Sequence, residues 1–256
     1  MSQKRTSLEN ALHLLKLFSM DEPELSVTEV SEKLGVAKST AHRLLSSLAQ
    51  EGFVYKDSQS NLYSLGFSIL RLVEIVNSQI HISSEAIPIL NTLVEEIGEN
   101  AHLAILDGFD VVILQTISGD YSSIDYIHLG RRLPSFCTSS GKAILAFNPD
   151  IAKDVAKIMK PYTNKTIVDP KLFFAELEKI RKQQYVISVR EYKDDITSIG
   201  VPVFNEVGHV IASITITIDY ERATSNRVQN HYVSLLQRAG RELTKIIKMR
   251  KRGHVT

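Results

Sequence analysis

Between Leu25 and Gly66 the chain writes two short helices so close together that only a tight turn fits between them. Ser26 followed three residues later by Glu29 is a capping box, in which the hydroxyl accepts from the amide three residues on and the carboxylate reaches back to the cap amide. Val27, Val30 and Leu34 then place apolar groups on one side of a single short helix. Gly35 stops it, because a residue without a Cβ enters the left-handed conformation at little cost. A second helix follows from Ala37 through Leu48. At about 100° per residue, Ala41, Leu44, Leu45 and Leu48 fall within one stripe. Ser39, Arg43, Ser46 and Gln50 face the other way, with Lys38, Thr40, His42 and Ser47 on the flanks.

An exposed face of short hydroxyls around one arginine has no evident use in folding. It suits a helix laid in a DNA major groove, where Ser and Thr bond phosphates or base edges and Arg takes guanine by two parallel bonds. Gly52–Tyr55 and Leu62–Leu65 are strand-like runs joined by six polar residues, which predicts the wing of a winged helix-turn-helix. The candidate DNA contacts are Lys38, Ser39, Thr40, His42, Arg43 and Ser46 on the second helix and Lys56 on the wing. A plain helical hairpin with a solvated polar face is the competing reading. The wing and the long chain that follows favour DNA.

Bulk charge does not announce nucleic acid. The 256 residues carry a formal net charge of +1, and residues 1–66 hold seven basic against eight acidic side chains. That balance argues against a non-specific binder that lives on counter-ion release; local placement on the second helix and the wing decides the matter. Hydrophobic content of 43% and charged content of 23% are those of an ordinary soluble globular protein, long enough for one large or two modest domains. A single cysteine excludes an intrachain disulfide and fits a reducing compartment. No apolar run reaches the roughly 18 residues of a membrane span, and the first residues lack the apolar segment of a signal peptide. The expectation is a cytoplasmic protein.

In order along the chain, Thr6 or Ser7 caps a first helix with Leu8, Ala11, Leu12, Leu15 and Phe18 as its apolar stripe, and Leu14 and Leu17 lie off it. Phe67–Asn77 is apolar around most of its circumference and predicts a linker helix covered on more than one side. A helix over Ser84–Ile97 leads into strands at Ala101–Leu106 and Val111–Ile117, joined by the turn dipeptide Asp107-Gly108, with a third candidate strand over Ser122–Leu129. Helices Asp150–Met159 and Pro170–Gln183 precede strands at Tyr185–Glu191 and Ile199–Asn205. Val210–Ile218 alternates at period two, and a helix from about Ser225 to Lys248 closes the chain in a basic tail. Hairpins mixed with flanking helices predict an α+β fold.

Two stretches carry a family resemblance. Lys38-Ser39-Thr40-Ala41-His42-Arg43-Leu44-Leu45-Ser46-Ser47-Leu48 with Tyr63-Ser64-Leu65-Gly66, and then Gly130-Arg131-Arg132-Leu133-Pro134 with Cys137-Thr138-Ser139-Ser140-Gly141-Lys142-Ala143-Ile144-Leu145-Ala146, resemble the IclR family of bacterial transcription regulators over nearly the whole chain. The resemblance implies a winged helix-turn-helix domain over residues 1–66, a linker helix over 67–78 and a GAF/PAS-like antiparallel sheet domain flanked by helices over 79–256. It further implies a homodimer or homotetramer on a palindromic double-stranded operator, with a small effector in the C-terminal domain. Carried over by motif, the effector-binding residues are Leu133, Ser139, Ser140, Ser188, Ile196, Ser198, Thr215 and Thr217. Three departures stand out: Ser188 where an acid is common, Ser198 where a cysteine can occur, and Asp195 where glycine is usual. The expected pocket is hydroxyl-rich and without fixed charge among these residues. It suits a small polar or organic-acid-like effector held by neutral hydrogen bonds and loop amides.

An enzyme is the main rival, and a sensor module whose helix-turn-helix mediates protein contacts is the third reading. No His-Glu-x-x-His, Gly-x-Ser-x-Gly or dinucleotide fingerprint is present, and Phe136 and Ala143 break a phosphate-loop pattern around Gly141-Lys142. Cys137 with His128 nearby is a weak nucleophile candidate, since free cysteine usually packs as a small hydrophobe. One cysteine and scattered histidines give no metal-ligand spacing. No catalytic residue, cofactor or metal is expected. A shift of the two reading helices on effector binding would change the half-site spacing that a dimeric helix-turn-helix demands.

Overall fold

Thr6 closes the first helix, α1 (Ser7–Leu15), with a full capping box: its hydroxyl accepts from the Glu9 amide at 3.2 Å, and its own amide donates to the Glu9 carboxylate at 2.6 Å. The computed structural model describes residues 5–19, 21–79, 81–121, 127–224 and 226–252. The chain divides into two units, Met1–Ile80 and His81–Thr256.

In the first unit, β1 (Glu24–Leu25) leads into α2 (Val27–Leu34), whose Ser26–Glu29 capping box forms in both directions. Gly35 ends it at φ +67°, and the Ser31 hydroxyl donates to the Val36 carbonyl at 2.7 Å, tying the turn to the helix it leaves. Helix α3 (Lys38–Gln50) follows, then β2 (Val54–Lys56) and β3 (Tyr63–Leu65). The wing is a three-stranded sheet rather than a two-stranded ribbon, because β1 pairs with β3 through Leu25 and Tyr63. The core joins Leu14, Leu25, Val30, Leu34, Ala41, Leu44, Leu45, Val54 and Tyr63.

On α1 the expected stripe is corrected. Leu14 is the fully buried residue, while Leu8 and Leu12 are 69% and 53% exposed. The helix turns Leu14 onto α2 and α3, with Ala11, Leu15, Leu17 and Phe18 partly buried against the same cluster. Helix α4 (Ser68–Gln79) exposes Leu70, Leu72, Val73 and Ile75.

The second unit opens with α5 (His81–Ile97), which begins before Ser84 and carries Pro88 inside it. Strands β4 (Asn100–Asp107) and β5 (Asp110–Ile117) form the expected hairpin across Asp107-Gly108. Of the candidate strand Ser122–Leu129, residues 122–126 lie outside the described residues and 127–129 are not strand. The strand that pairs with β5 is instead β6 (Arg132–Pro134). Helix α6 (Ser139–Leu145) is followed by α7 (Pro149–Val155), shorter than the expected Asp150–Met159, and α8 (Pro170–Gln183), capped by Asp169. Strands β7 (Val186–Val189), β8 (Ile196–Phe204) and β9 (Val210–Asp219) and helix α9 (Asn226–Arg252) complete the chain.

All six strands pair antiparallel in the order β6-β5-β4-β9-β8-β7. Because side chains alternate along a strand, neighbouring positions on β8 show what covers each face. A Cβ at Gly200 would meet the Ser139 carbonyl of α6 at 2.9 Å, whereas Val201 touches Gly240 of α9. Helix α5 lies with α9, since Gln115 of β5 donates to its Ser83 hydroxyl at 2.8 Å and pairs across the sheet with Leu103. The sheet is therefore covered on both faces, and the lack of a side chain at Gly200 is what lets the start of α6 come down onto β8.

Candidate functional site

In the N-terminal unit the site is the exposed side of α3. Ala41, Leu44 and Leu45 are buried, each leucine contributing about 1.5–3 kcal/mol by its removal from water. That burial orients the helix so that Lys38, Ser39, His42 and Arg43 are exposed, with Thr40 and Ser46 half-buried at the margins. The cap residue of α3 is Ala37, and no side chain bonds its first amides. An uncapped N-terminus beside Lys38 offers free N–H groups and a positive dipole end to a phosphate. Lys56 lies on the wing with its ammonium 5.8 Å from the centroid of the Tyr63 ring, and the loop beyond it is held by Asp57, which accepts from the Gln59 and Ser60 amides at 2.9 and 2.7 Å.

In the C-terminal unit a small cavity of about 30 Å³ lies between α6 and the sheet. That is room for a water-sized occupant, well below the roughly 300–1,000 Å³ of open ligand pockets, so a larger ligand must move its walls apart. Seven of the eight motif-derived residues line it: Leu133, Ser139, Ser140, Ile196, Ser198, Thr215 and Thr217. Register explains why. Ser198 pairs with Thr217 and Thr215 with Gly200, so β8 and β9 turn these hydroxyls to the α6 face, and Thr138 caps α6 so that Ser139 and Ser140 meet them.

Ser188 is the exception, and its placement corrects the expectation. Its hydroxyl is buried and donates to the Glu191 carboxylate at 2.9 Å, away from the cavity lining. The same carboxylate oxygen receives Lys142, whose side chain is fully buried. Sequence motifs contained Lys142 and Glu191 but gave no sign that the two meet.

The sequence also missed His102, Ile113, Ile127, Thr138 and Tyr192 in the lining. His102 is 1% exposed and holds both ring nitrogens to hydroxyls, Nδ1 to Thr116 at 3.0 Å and Nε2 to Thr217 at 3.1 Å. Burial without a neighbouring charge pulls its pKa down to about 3, so the ring is neutral at ordinary pH. Its position opposite Thr215 on β9 was the signal: a histidine in an otherwise apolar strand, on the same face as the threonines.

Two lining hydroxyls lack a partner. Ser139 Oγ and Thr215 Oγ1 are buried and bond nothing among the described residues. Buried hydroxyls are normally satisfied, and those of Thr197 and Ser213, outside the lining, are likewise without a partner among the described residues. Among the described residues no lysine or arginine lines the cavity. Cys137 packs in the core behind, with burial pushing its thiol up to about 12, which removes it as a nucleophile.

The arrangement is thus a helix with an exposed hydroxyl-and-arginine face in one unit and a hydroxyl-lined cavity in the other. Residues 7–58 match the IclR helix-turn-helix domain, and residues 75–245 match the family model described as bacterial transcriptional regulator IclR, C-terminal. The chain belongs to the IclR family. It is an IclR-type DNA-binding transcriptional regulator with an effector-binding C-terminal domain, built on an α+β fold.

IclR relatives cover almost its full length. It is 30% identical to the HTH-type transcriptional regulator XynR of Escherichia coli (strain K12), over 94% of this chain and 96% of that one. The glycerol operon regulatory protein of Streptomyces coelicolor is 30% identical over 87% and 88% of the two chains. Among solved structures, the Thermotoga maritima IclR superposes with a TM-score of 0.78 at 28% identity, covering 94% of this chain and 98% of that one. An IclR homolog from Microbacterium hydrocarbonoxydans, complexed with 4-hydroxybenzoate, shares the fold with a TM-score of 0.85 at 21% identity, over 95% and 100% of the chains. No helix among the described residues is long and apolar enough to cross a membrane.

Proposed function

We propose that this IclR-family regulator is a cytoplasmic, non-enzymatic homodimer or homotetramer that reads an operator through α3 and the wing and is controlled by a small organic acid in the cavity beside α6. Lys38, Ser39, Thr40, His42, Arg43 and Ser46 meet the duplex, Arg43 supplying the guanine contact, and Lys56 holds a neighbouring phosphate. Leu133, Ser139, Ser140, Ile196, Ser198, Thr215 and Thr217 hold the effector.

The observation that carries the effector reading is the pair of buried, unpartnered hydroxyls on Ser139 and Thr215, which point a ligand's oxygen atom to the α6 end of the cavity. The apolar wall of Ile113, Ile127, Leu133 and Ile196 suits the carbon body of a small molecule once the walls have moved apart to admit it. An IclR homolog is complexed with 4-hydroxybenzoate, a small organic acid. Self-association is supported by exposed apolar groups on both helices flanking the winged domain, Leu8 and Leu12 on α1 and Leu70, Leu72, Val73 and Ile75 on α4, with Phe67 beside it at 86% exposure. Helix α4 is read as the linker through which an occupied cavity changes the half-site spacing of two reading helices.

The test is a gel shift with the intergenic DNA next to the protein's own gene, repeated across a panel of small organic acids. Replacing Thr215 by Leu fills the cavity and is expected to abolish the response to the active acid while operator binding persists. A T215L protein that still responds would place the effector elsewhere.

A further inference from the structure

His102 can hold a proton in this cavity without losing a hydrogen bond. As a neutral ring it has one N–H and one lone pair, so one of Thr116 and Thr217 accepts from it and the other donates to it. As an imidazolium it has two N–H groups, and both threonine hydroxyls can turn to accept. The hydrogen-bond set is complete in either state, and only the burial of charge opposes protonation. In the empty cavity that opposition wins, and the ring is neutral well into acid.

A buried carboxylate reverses the balance. Among the described residues the cavity walls supply it with hydroxyls but no cation, and Lys142 is closed on Glu191 outside the lining. An unpaired carboxylate in such surroundings is costly, and a proton on a group a few ångströms away removes most of that cost. His102 is placed to take it. From β5 it faces Thr116, from β9 Thr215 and Thr217, from α6 Ser139 and Ser140, and from the connection after β7 Tyr192. Among the described residues none of the lining groups is an acid, a lysine or an arginine, and Lys142, Glu191 and Cys137 lie outside the lining.

Resting on the reading of this cavity as an organic-acid site, we propose that the acid enters as an anion together with one proton from solvent, which is held on His102. The Thr217 hydroxyl accepts from Nε2–H and donates to the carboxylate, bridging anion and imidazolium. Ser139 and Thr215, the two hydroxyls without partners, donate to its remaining lone pairs. His102 is thus a positioning and charge-compensating residue, and it tightens effector binding as pH falls.

The experiment uses the full-length protein and a probe panel of acetate, pyruvate, benzoate and 4-hydroxybenzoate, screened by thermal shift at pH 6. The tightest binder is then titrated calorimetrically at pH 7 in two buffers of different ionisation enthalpy. Uptake of one proton per bound acid is expected, with affinity falling close to tenfold per pH unit from pH 6 to 8. H102Q is expected to lose the uptake and the pH slope, and to lose the preference for the acid over its uncharged amide. H102N serves the same purpose if H102Q does not fold. An acid that binds without proton uptake, or whose uptake survives in the variant, overturns the proposal alone. A panel in which no acid binds removes the organic-acid reading itself, and this proposal with it.

Discussion

Lys142 and Glu191 form an ion pair inside the C-terminal unit, the lysine with no exposed side-chain surface and the glutamate with 7%. The pair ties α6, which carries one wall of the cavity, to the connection between β7 and β8. The Ser188 hydroxyl donates to the same carboxylate, and Thr166 donates to the Glu191 carbonyl at 2.7 Å. Removing one partner leaves an uncompensated charge in the interior. Glu191→Ala is expected to cost about 3–5 kcal/mol in urea unfolding, and replacing Lys142 and Glu191 together by Met should recover most of it. A double variant that loses the sum of the two single losses would show that the pair does not act as a unit.

Arg43 is exposed on α3 and supports no part of the core. Arg43→Ala is therefore expected to leave the melting temperature unchanged while costing about 1–3 kcal/mol on the operator and relaxing specificity at one base position. If Lys56 meets a phosphate as proposed, Lys56→Ala should weaken all sequences alike and lower the salt slope by about 1. Fluorescence anisotropy across a salt series measures both.

Ala37 leaves the first amides of α3 without a side-chain cap. Ala37→Asp should raise stability by about 1 kcal/mol, since the carboxylate caps the helix and meets its dipole. The same charge should weaken operator binding by repelling a phosphate. Paired thermal melts and gel shifts distinguish this trade from a simple loss of fold.

Acid should destabilise the two units through different groups. Glu9 and Glu29 have pKa values lowered by the backbone hydrogen bonds of their capping boxes, so their contributions are present above about pH 4.5 and fade as pH falls below it. His102 loses its proton affinity on folding, from 6.5 to about 3, through burial. The unfolded chain then binds the extra proton between those values, and stability falls by up to about 1.4 kcal/mol per pH unit as pH drops from 6.5 towards 3. H102Q should flatten this limb in urea titrations of the C-terminal unit's transition.

Local chemistry made the N-terminal unit readable. The capping box at Ser26 and Glu29, the stop at Gly35 and the period of Ala41, Leu44 and Leu45 act within a few residues of one another, so the pattern alone states which side of α3 is free. Helix α1 shows the boundary of that reasoning. Its leucines occupy nearly the whole circumference, and only the packing of α2 and α3 against Leu14 decides that Leu8 and Leu12 remain outside. In the C-terminal unit the motif residues Ser139, Ser140, Thr215 and Thr217 were identifiable individually.

What the sequence determined by itself, then, is the set of elements and the two faces of the reading helix, because helix period, caps and turn residues are short-range constraints. What the tertiary structure decided is every relation across the sheet: His102 set beside Thr116 and Thr217, Lys142 closed on Glu191, and Ser188 drawn out of the cavity to that pair. These partners lie up to 115 residues apart in the chain. Their meeting depends on strand order and register, which follow from the packing of both sheet faces at once rather than from any one stretch of residues.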